Sequence, residues 1–165
     1  MKWSYNKKMK LTLGWREWVG LPQWGIPAIK AKIDTGARTS SLHALDAEPY
    51  LLKGQPYVRF LLMPVQRSLA LGHEVSAPIV DRRRVKSSNG ESLERFVIQV
   101  DLKIADQIHS TEVTLANRRD MKFRMLLGRK ALQAFLVDPA ESYLLGRSLE
   151  QRDFLKQVRL ELLGK

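Results

Sequence analysis

The sequence contains no cysteine. That excludes disulfide staples, thiolate metal sites and a cysteine nucleophile, and it fits a reducing compartment, the cytoplasm being the expectation. Histidine is almost as scarce, with 3 in the chain, His43, His73 and His109. A zinc site needs three or four convergent ligands. No His-Glu-x-x-His segment supplies them, so no metal is expected. A Gly-x-x-x-x-Gly-Lys-Ser/Thr loop for nucleotide phosphates is missing too, so no cofactor is expected. No apolar run reaches the ~20 residues of a membrane-spanning helix. Met1 to Lys10 is basic, but no apolar stretch follows it, which argues against a secretory leader.

Acidic residues are the remaining shortage. Asp and Glu total 17 against 28 Lys and Arg, a net charge of +11. A field of that sign concentrates polyanions and speeds their encounter. Nucleic acid, ribosome surfaces, anionic membranes and acidic polypeptides all fit, and composition alone does not choose among them. With 165 residues, 44% of them hydrophobic and 27% charged, the chain suits one globular domain with a real core.

Short strand-like bursts separated by Pro and Gly predict an all-β fold. Residues 1–10 read as a basic lead-in, 11–147 as the domain and 148–165 as a helical tail. Leu11 to Val19 is an expected first strand and Gly20 to Pro27 a turn region. From Ala28 to Ile33, Ile29, Ala31 and Ile33 alternate with Lys30 and Lys32, with Asp34 on the lysine side. Further strands are expected over Val58–Met63, Val75–Val85, Arg95–Leu102, Ile108–Leu115 and through Phe123, Met125 and Leu127. Asn89-Gly90 suits a tight hairpin turn. Two helices are expected. Arg129–Leu136 places Ala131, Leu132 and Phe135 on one side and stops at Asp138-Pro139. Ser148–Leu163 begins with the capping-box pair Ser148 and Gln151.

One segment carries chemistry. Asp34-Thr35-Gly36 ends a hydrophobic strand abruptly. Two such carboxyls, held about 3 Å apart, share a proton, so one activates water as base while the other protonates a leaving amine. Gly36 lets the backbone turn beside the carboxylate, and Thr35 offers hydrogen bonds that stiffen the loop. The same three residues also serve as an ordinary turn. A second element, Met125-Leu126-Leu127-Gly128-Arg129, is a hydrophobic strand running into an Arg-led helix.

Together these resemble the retropepsins, retroviral-type aspartic peptidases. In that family a hydrophobic-hydrophobic-Gly element packs beneath the active-site loop. The order agrees: an early Asp-Thr-Gly-Ala, a central hairpin in the place of a flap, then Leu-Leu-Gly-Arg, with Arg129 standing 94 residues beyond Thr35. Extra chain is expected between loop and flap. The resemblance is closer to a bacterial group of retropepsin-like proteins, some named RimB, that carries an ATP-dependent zinc protease label. It rests on Gly14 to Val19, Ile26 to Lys32, Asp34 to Ala44, Pro78 to Arg83 and Phe123 to Arg129. The label's zinc and ATP find no motif here.

The resemblance implies a closed acid-protease barrel with one short helix after Leu-Leu-Gly-Arg, and a homodimer in which each chain lends one Asp34. It also implies α-linked polyglutamate as substrate, and a RimK-type glutamate ligase or ribosomal protein as partner. Catalysis then falls to Asp34, Thr35 and Gly36, with Gly128 and Arg129 as structural support. Lys32 and His43 are candidate acid-base or modulating groups; solvent for Lys32 and the interior for His43 are the plain alternatives. Arg38, Arg82, Arg83 and Arg84 are candidate ligands for substrate carboxylates, with Arg118, Arg119, Lys122 and Arg124 extending the patch. Arg38 occupies the place of an acidic residue that pairs with the Gly-Arg arginine in retroviral enzymes, so Arg129 needs another partner. Two rivals remain: an endopeptidase of neutral peptides, and a non-catalytic basic module docking on RNA or a ligase.

Overall fold

The structure, a computed structural model, describes residues 9–65, 71–86, 90–118 and 121–164. Its eleven strands are β1 (Leu11–Leu13), β2 (Arg16–Leu21), β3 (Ile26–Ile33), β4 (Ser40–Leu52), β5 (Gln55–Leu62), β6 (His73–Pro78), β7 (Asp81–Lys86), β8 (Ser92–Ile104), β9 (Gln107–Ala116), β10 (Met125–Leu127) and β11 (Phe135–Val137). The helices are α1 (Arg129–Leu132) and α2 (Leu149–Leu163).

Six strands close on themselves in the order β10, β3, β2, β8, β9, β4, because β10 also pairs with β4. The ring encloses one core built by period-two alternation. On β3, Ile29, Ala31 and Ile33 are buried, while Lys32 is exposed and Lys30 half-buried. On β8, Ile98, Val100, Leu102 and Ile104 point in, while Gln99 and Asp101 are exposed. Strands β4, β5 and β6 extend from the ring as an antiparallel arm. They fill the stretch where extra chain is expected between loop and flap. The β4–β5 turn has positive φ at both Lys53 (49°) and Gly54 (77°), as a primed two-residue turn requires.

Several expected boundaries move. The first strand breaks at Gly14, whose Cβ would stand 2.5 Å from the Glu141 carbonyl oxygen, so β1 and β2 belong to different sheets. The turn after β2 shrinks to Pro22–Trp24 and Gly25, whose φ is 64°. The extended stretch Val75–Val85 splits at Ile79 and Val80 into β6 and β7. The expected helix Arg129–Leu136 is only one turn long. Phe135 instead starts β11, which pairs in parallel with β1. Ala131, Leu132 and Phe135 are all buried, so burial spacing alone reads equally well as a helix face. Ser40 and Ser41 open the long strand β4, which the sequence reading does not anticipate. The β7–β8 hairpin lies where a flap is expected, but residues 87–89 of its tip fall outside the described residues, as do Arg119 and most of the basic lead-in.

Helix α2 starts at the anticipated capping box: Ser148 Oγ accepts the Gln151 N–H, and Gln151 Oε1 accepts the Ser148 N–H. It rests on β3 through Gln151 Nε2, which donates to the Pro27 carbonyl, and has one buried residue, Val158. Among the described residues no helix is long and apolar enough to cross a membrane.

Candidate active site

Strand β3 delivers Asp34 to the edge of the ring, and β10 fixes it there. The Asp34 N–H donates to the Leu127 carbonyl at 2.8 Å, extending the parallel β3–β10 pairing by one bond. The chain then folds back over the carboxylate. Asp34 Oδ1 accepts the N–H groups of Gly36 (2.9 Å) and Ala37 (3.2 Å). Both bonds fall on Oδ1, which leaves Oδ2 without a hydrogen bond from the described residues. Gly36 suits the turn, since a Cβ there would come within 3.1 Å of Oδ1.

The Leu-Leu-Gly-Arg segment locks this loop from below. Gly128 packs on backbone: a Cβ would lie 2.6 Å from the Thr39 carbonyl oxygen and 2.9 Å from that of Ala37. Its N–H donates to Ser40 Oγ, a fully buried hydroxyl. The next two N–H groups, of Arg129 and Lys130, donate to the carbonyls of Ala37 and Arg38. Arg129 finds its partners in the loop itself. Its Nη1 donates to the carbonyls of Thr35 (3.1 Å) and Gly36 (3.0 Å). One guanidinium therefore bridges two turn carbonyls, and Arg38 remains exposed.

His43 does not stand in the open. It is fully buried on β4, and its Nδ1 accepts the backbone N–H of Arg118 at 2.7 Å. That bond makes Nδ1 the acceptor and places the ring proton on Nε2. His43 thereby fixes the chain leaving β9. Lys32 is exposed on β3, in register with Arg16 and Leu126.

The arginines of β7 do not act as one cluster. Arg82 pairs across the hairpin with Phe96, over whose ring its guanidinium lies at 5.1 Å, and reaches Glu94 at 3.7 Å. Arg84 is exposed opposite Glu94. Arg83 takes the other face, where Nε binds Asp81 (2.7 Å) and Nη2 binds Glu112 (3.0 Å). Arg82 and Arg84 thus share one face of β7 and Arg83 takes the other, because strand residues alternate. Lys130 also binds Glu112, at 3.2 Å. Hydrogen bonds from Lys130 and then Arg83 hold the Glu112 carboxyl below its ordinary range.

One further guanidinium interacts with Asp34. Arg118 is half-buried, and its charge interacts with both Asp34 and Arg95. Burial, followed by repulsion from Arg95, pushes Arg118 below its ordinary value, while Asp34 pulls it back up. Arg95 is the cross-strand partner of Arg83 and so shares that face of the hairpin. Arg118 appears in the sequence only as an extension of a basic patch. Counting outward from a two-residue Asn89-Gly90 turn sets Arg95 opposite Arg84, one residue away from the observed pairing with Arg83.

A zinc ion does not fit these residues. His43 is enclosed, His73 lies on β6 in the arm, and His109 packs edge-on against Phe135 at 4.9 Å. Among the described residues no three His, Asp or Glu side chains converge.

Residues 12–148 match the family model described as RimB-like, retropepsin-like aspartic endopeptidase RimB. A protein of Shewanella pealeana named probable alpha-L-glutamate ligase is 46% identical over 138 residues, which cover 83% of this chain and 30% of that one. A protein of the same name from Desulfotalea psychrophila is 41% identical over 94% of this chain and 32% of its own length. The chain thus spans about a third of the curated relatives it matches. Among solved structures, a Legionella pneumophila protein of unknown function superposes with a TM-score of 0.71 at 27% identity, covering 83% of this chain and 99% of that one. With an all-β ring, an Asp-Thr-Gly loop clamped by Gly128 and Arg129, and a family match across most of its length, the chain belongs to the RimB-like family of retropepsin-like aspartic endopeptidases.

Proposed function

We propose that this chain is an aspartic-type peptide hydrolase whose substrate is α-linked polyglutamate. The observation that carries the reading is the Asp34 loop. A carboxylate with one oxygen fixed by two backbone N–H groups and the other left over is oriented for work on water. Each chain supplies one such aspartate, so two chains meeting about a two-fold axis form the pair. One carboxylate takes a proton from water as the oxygen attacks the peptide carbonyl. The other, protonated, gives its proton to the departing nitrogen as the C–N bond breaks. The products are a carboxylic acid and an amine, and no metal takes part.

The acidic substrate is supported by charge and by the relatives. The chain carries +11, and Lys32, Arg38 and Arg118 lie on or near the Asp34 loop and its strand. Relatives that contain the same region within longer chains bear the name alpha-L-glutamate ligase. A hydrolase that trims what a glutamate ligase extends suits that arrangement, and such a ligase, of RimK type, is the proposed partner.

The test is shortening of α-linked polyglutamate by purified protein across a pH series, with and without chelator, beside Asp34→Asn. The expected result is chelator-insensitive cleavage that disappears in the variant. Cleavage that survives in Asp34→Asn, or a polymer left intact by the wild type, overturns the reading.

A further inference from the structure

The site holds more positive charge than Asp34 balances. Arg118 lies two residues beyond β9 and is held at several points. Its backbone N–H is bound to the buried His43 (2.7 Å), and its Nε donates to the Phe123 carbonyl (3.2 Å). Phe123 packs edge-on against Trp15 at 5.9 Å. The Trp15 carbonyl in turn accepts the N–H of Ile33, the residue before Asp34 (2.8 Å). A chain of hydrogen bonds and one ring contact therefore links Arg118 to the strand that carries Asp34. The two Nη nitrogens of Arg118 make no hydrogen bond to the described residues.

Arg95 comes up from the hairpin and repels Arg118, while Asp34 attracts it. Arg118 thus lies partly desolvated, drawn by one carboxylate and repelled by a second guanidinium. A guanidinium fork without its own acid is matched to a planar anion, which it binds through two parallel N–H bonds. An acidic substrate also needs such a group here. A glutamate side chain brought beside an ionised Asp34 is repelled unless a cation stands between or next to them.

We infer that Arg118, with Arg95 opposite, binds the side-chain carboxylate of the substrate glutamate adjacent to the scissile bond. Arg118 is thus a specificity-determining residue. This rests on the peptidase reading of Asp34. Arg82 and Arg84 then contact only more distant parts of the polymer.

The test measures binding of a short α-linked oligoglutamate to the inactive Asp34→Asn protein and to Asp34→Asn with Arg118→Met or Arg118→Lys. A set of peptides with one glutamate at a time replaced by glutamine is measured alongside. Arg118→Met is expected to weaken binding about ten- to a hundredfold, with partial recovery in Arg118→Lys. One glutamine replacement that weakens binding to the parent is expected to become silent in Arg118→Met, a coupling that a merely structural arginine does not produce. The inference falls if the parent does not bind the oligoglutamate, if Arg118→Met binds as well as its parent, or if every replacement costs the same in both. Failure of the peptidase reading shows separately, as absent cleavage by the Asp34-bearing protein while the coupling persists.

Discussion

A Cβ on Gly128 would stand 2.6 Å from the carbonyl oxygen of Thr39. The obstructing atoms are backbone, so no side-chain rotation relieves the clash. Either the β10–α1 junction or the loop from Asp34 to Thr39 must shift, and the bonds between them stretch together.

Gly128→Ala is therefore expected to destabilise the fold by about 1–3 kcal/mol. For a chain of this size that corresponds to roughly 3–10 °C in thermal midpoint. Thermal denaturation followed by circular dichroism checks it. An unchanged midpoint means the loop yields more freely than the contacts imply.

Arg129→Lys separates charge from geometry. The lysine keeps the positive charge but loses the planar fork that serves the Thr35 and Gly36 carbonyls at once. Arg129 is exposed, so the global cost is small, about 1 kcal/mol or less. The proposed hydrolysis needs the loop's shape and is expected to fall by about tenfold or more. Parallel midpoint and rate measurements expose that asymmetry, and equal small losses in both argue against the clamp.

Glu112 joins the hairpin strand β7 to α1 by accepting from Arg83 and Lys130. Its carboxyl is held below the ordinary value of 4.5, so the folded state favours the charged form. The resulting stability is present above the unfolded value and is lost as pH falls through the lower folded value. The thermal midpoint of the wild type should drop more steeply below about pH 4.5 than that of Glu112→Gln. At neutral pH the variant should melt about 2 °C lower. Parallel curves at all pH values dismiss the linkage.

Ser148→Ala removes one half of the capping box on α2. The expected loss is about 1 kcal/mol, read as a small fall in midpoint or as faster amide exchange confined to the helix. Because Gln151 of α2 bonds Pro27, at the opposite end of β3 from Asp34, the proposed hydrolysis should stay within twofold. A large loss of activity links the tail to the site in a way the contacts do not indicate.

The parts legible in the sequence are those ruled by local chemistry. Alternation from Ile29 to Ile33 reports a half-buried strand, Ser148 and Gln151 report a helix start, and Asp34-Thr35-Gly36 with Leu127-Gly128-Arg129 reports the loop and its support. The rest depended on distant partners. Ser40 to Leu45 are all buried because β4 is sandwiched between β9 and β10, so no period survives to mark the strand. Phe135 joins a strand because β1 offers it an edge, a fact not written near residue 135. Period two, by contrast, already sets Arg83 apart from Arg82 and Arg84. Arg118 is placed by its backbone bond to His43, 75 residues earlier, which nothing near residue 118 announces.

The closure of the ring also sets an order of events during synthesis. Strand β10 lies between β3 and β4, yet Arg129 is added 94 residues after Thr35. At about 5–20 residues per second the ribosome leaves a gap of roughly 5–20 s. Through that interval the Asp34 N–H has no Leu127 carbonyl to meet, and the turn carbonyls have no guanidinium. A nascent chain therefore carries its aspartate in an unfinished loop while neighbouring polypeptides emerge beside it. Any hydrolysis that needs the finished loop waits for nearly the whole domain, a delay set by nothing more than the sequence in which the strands are made.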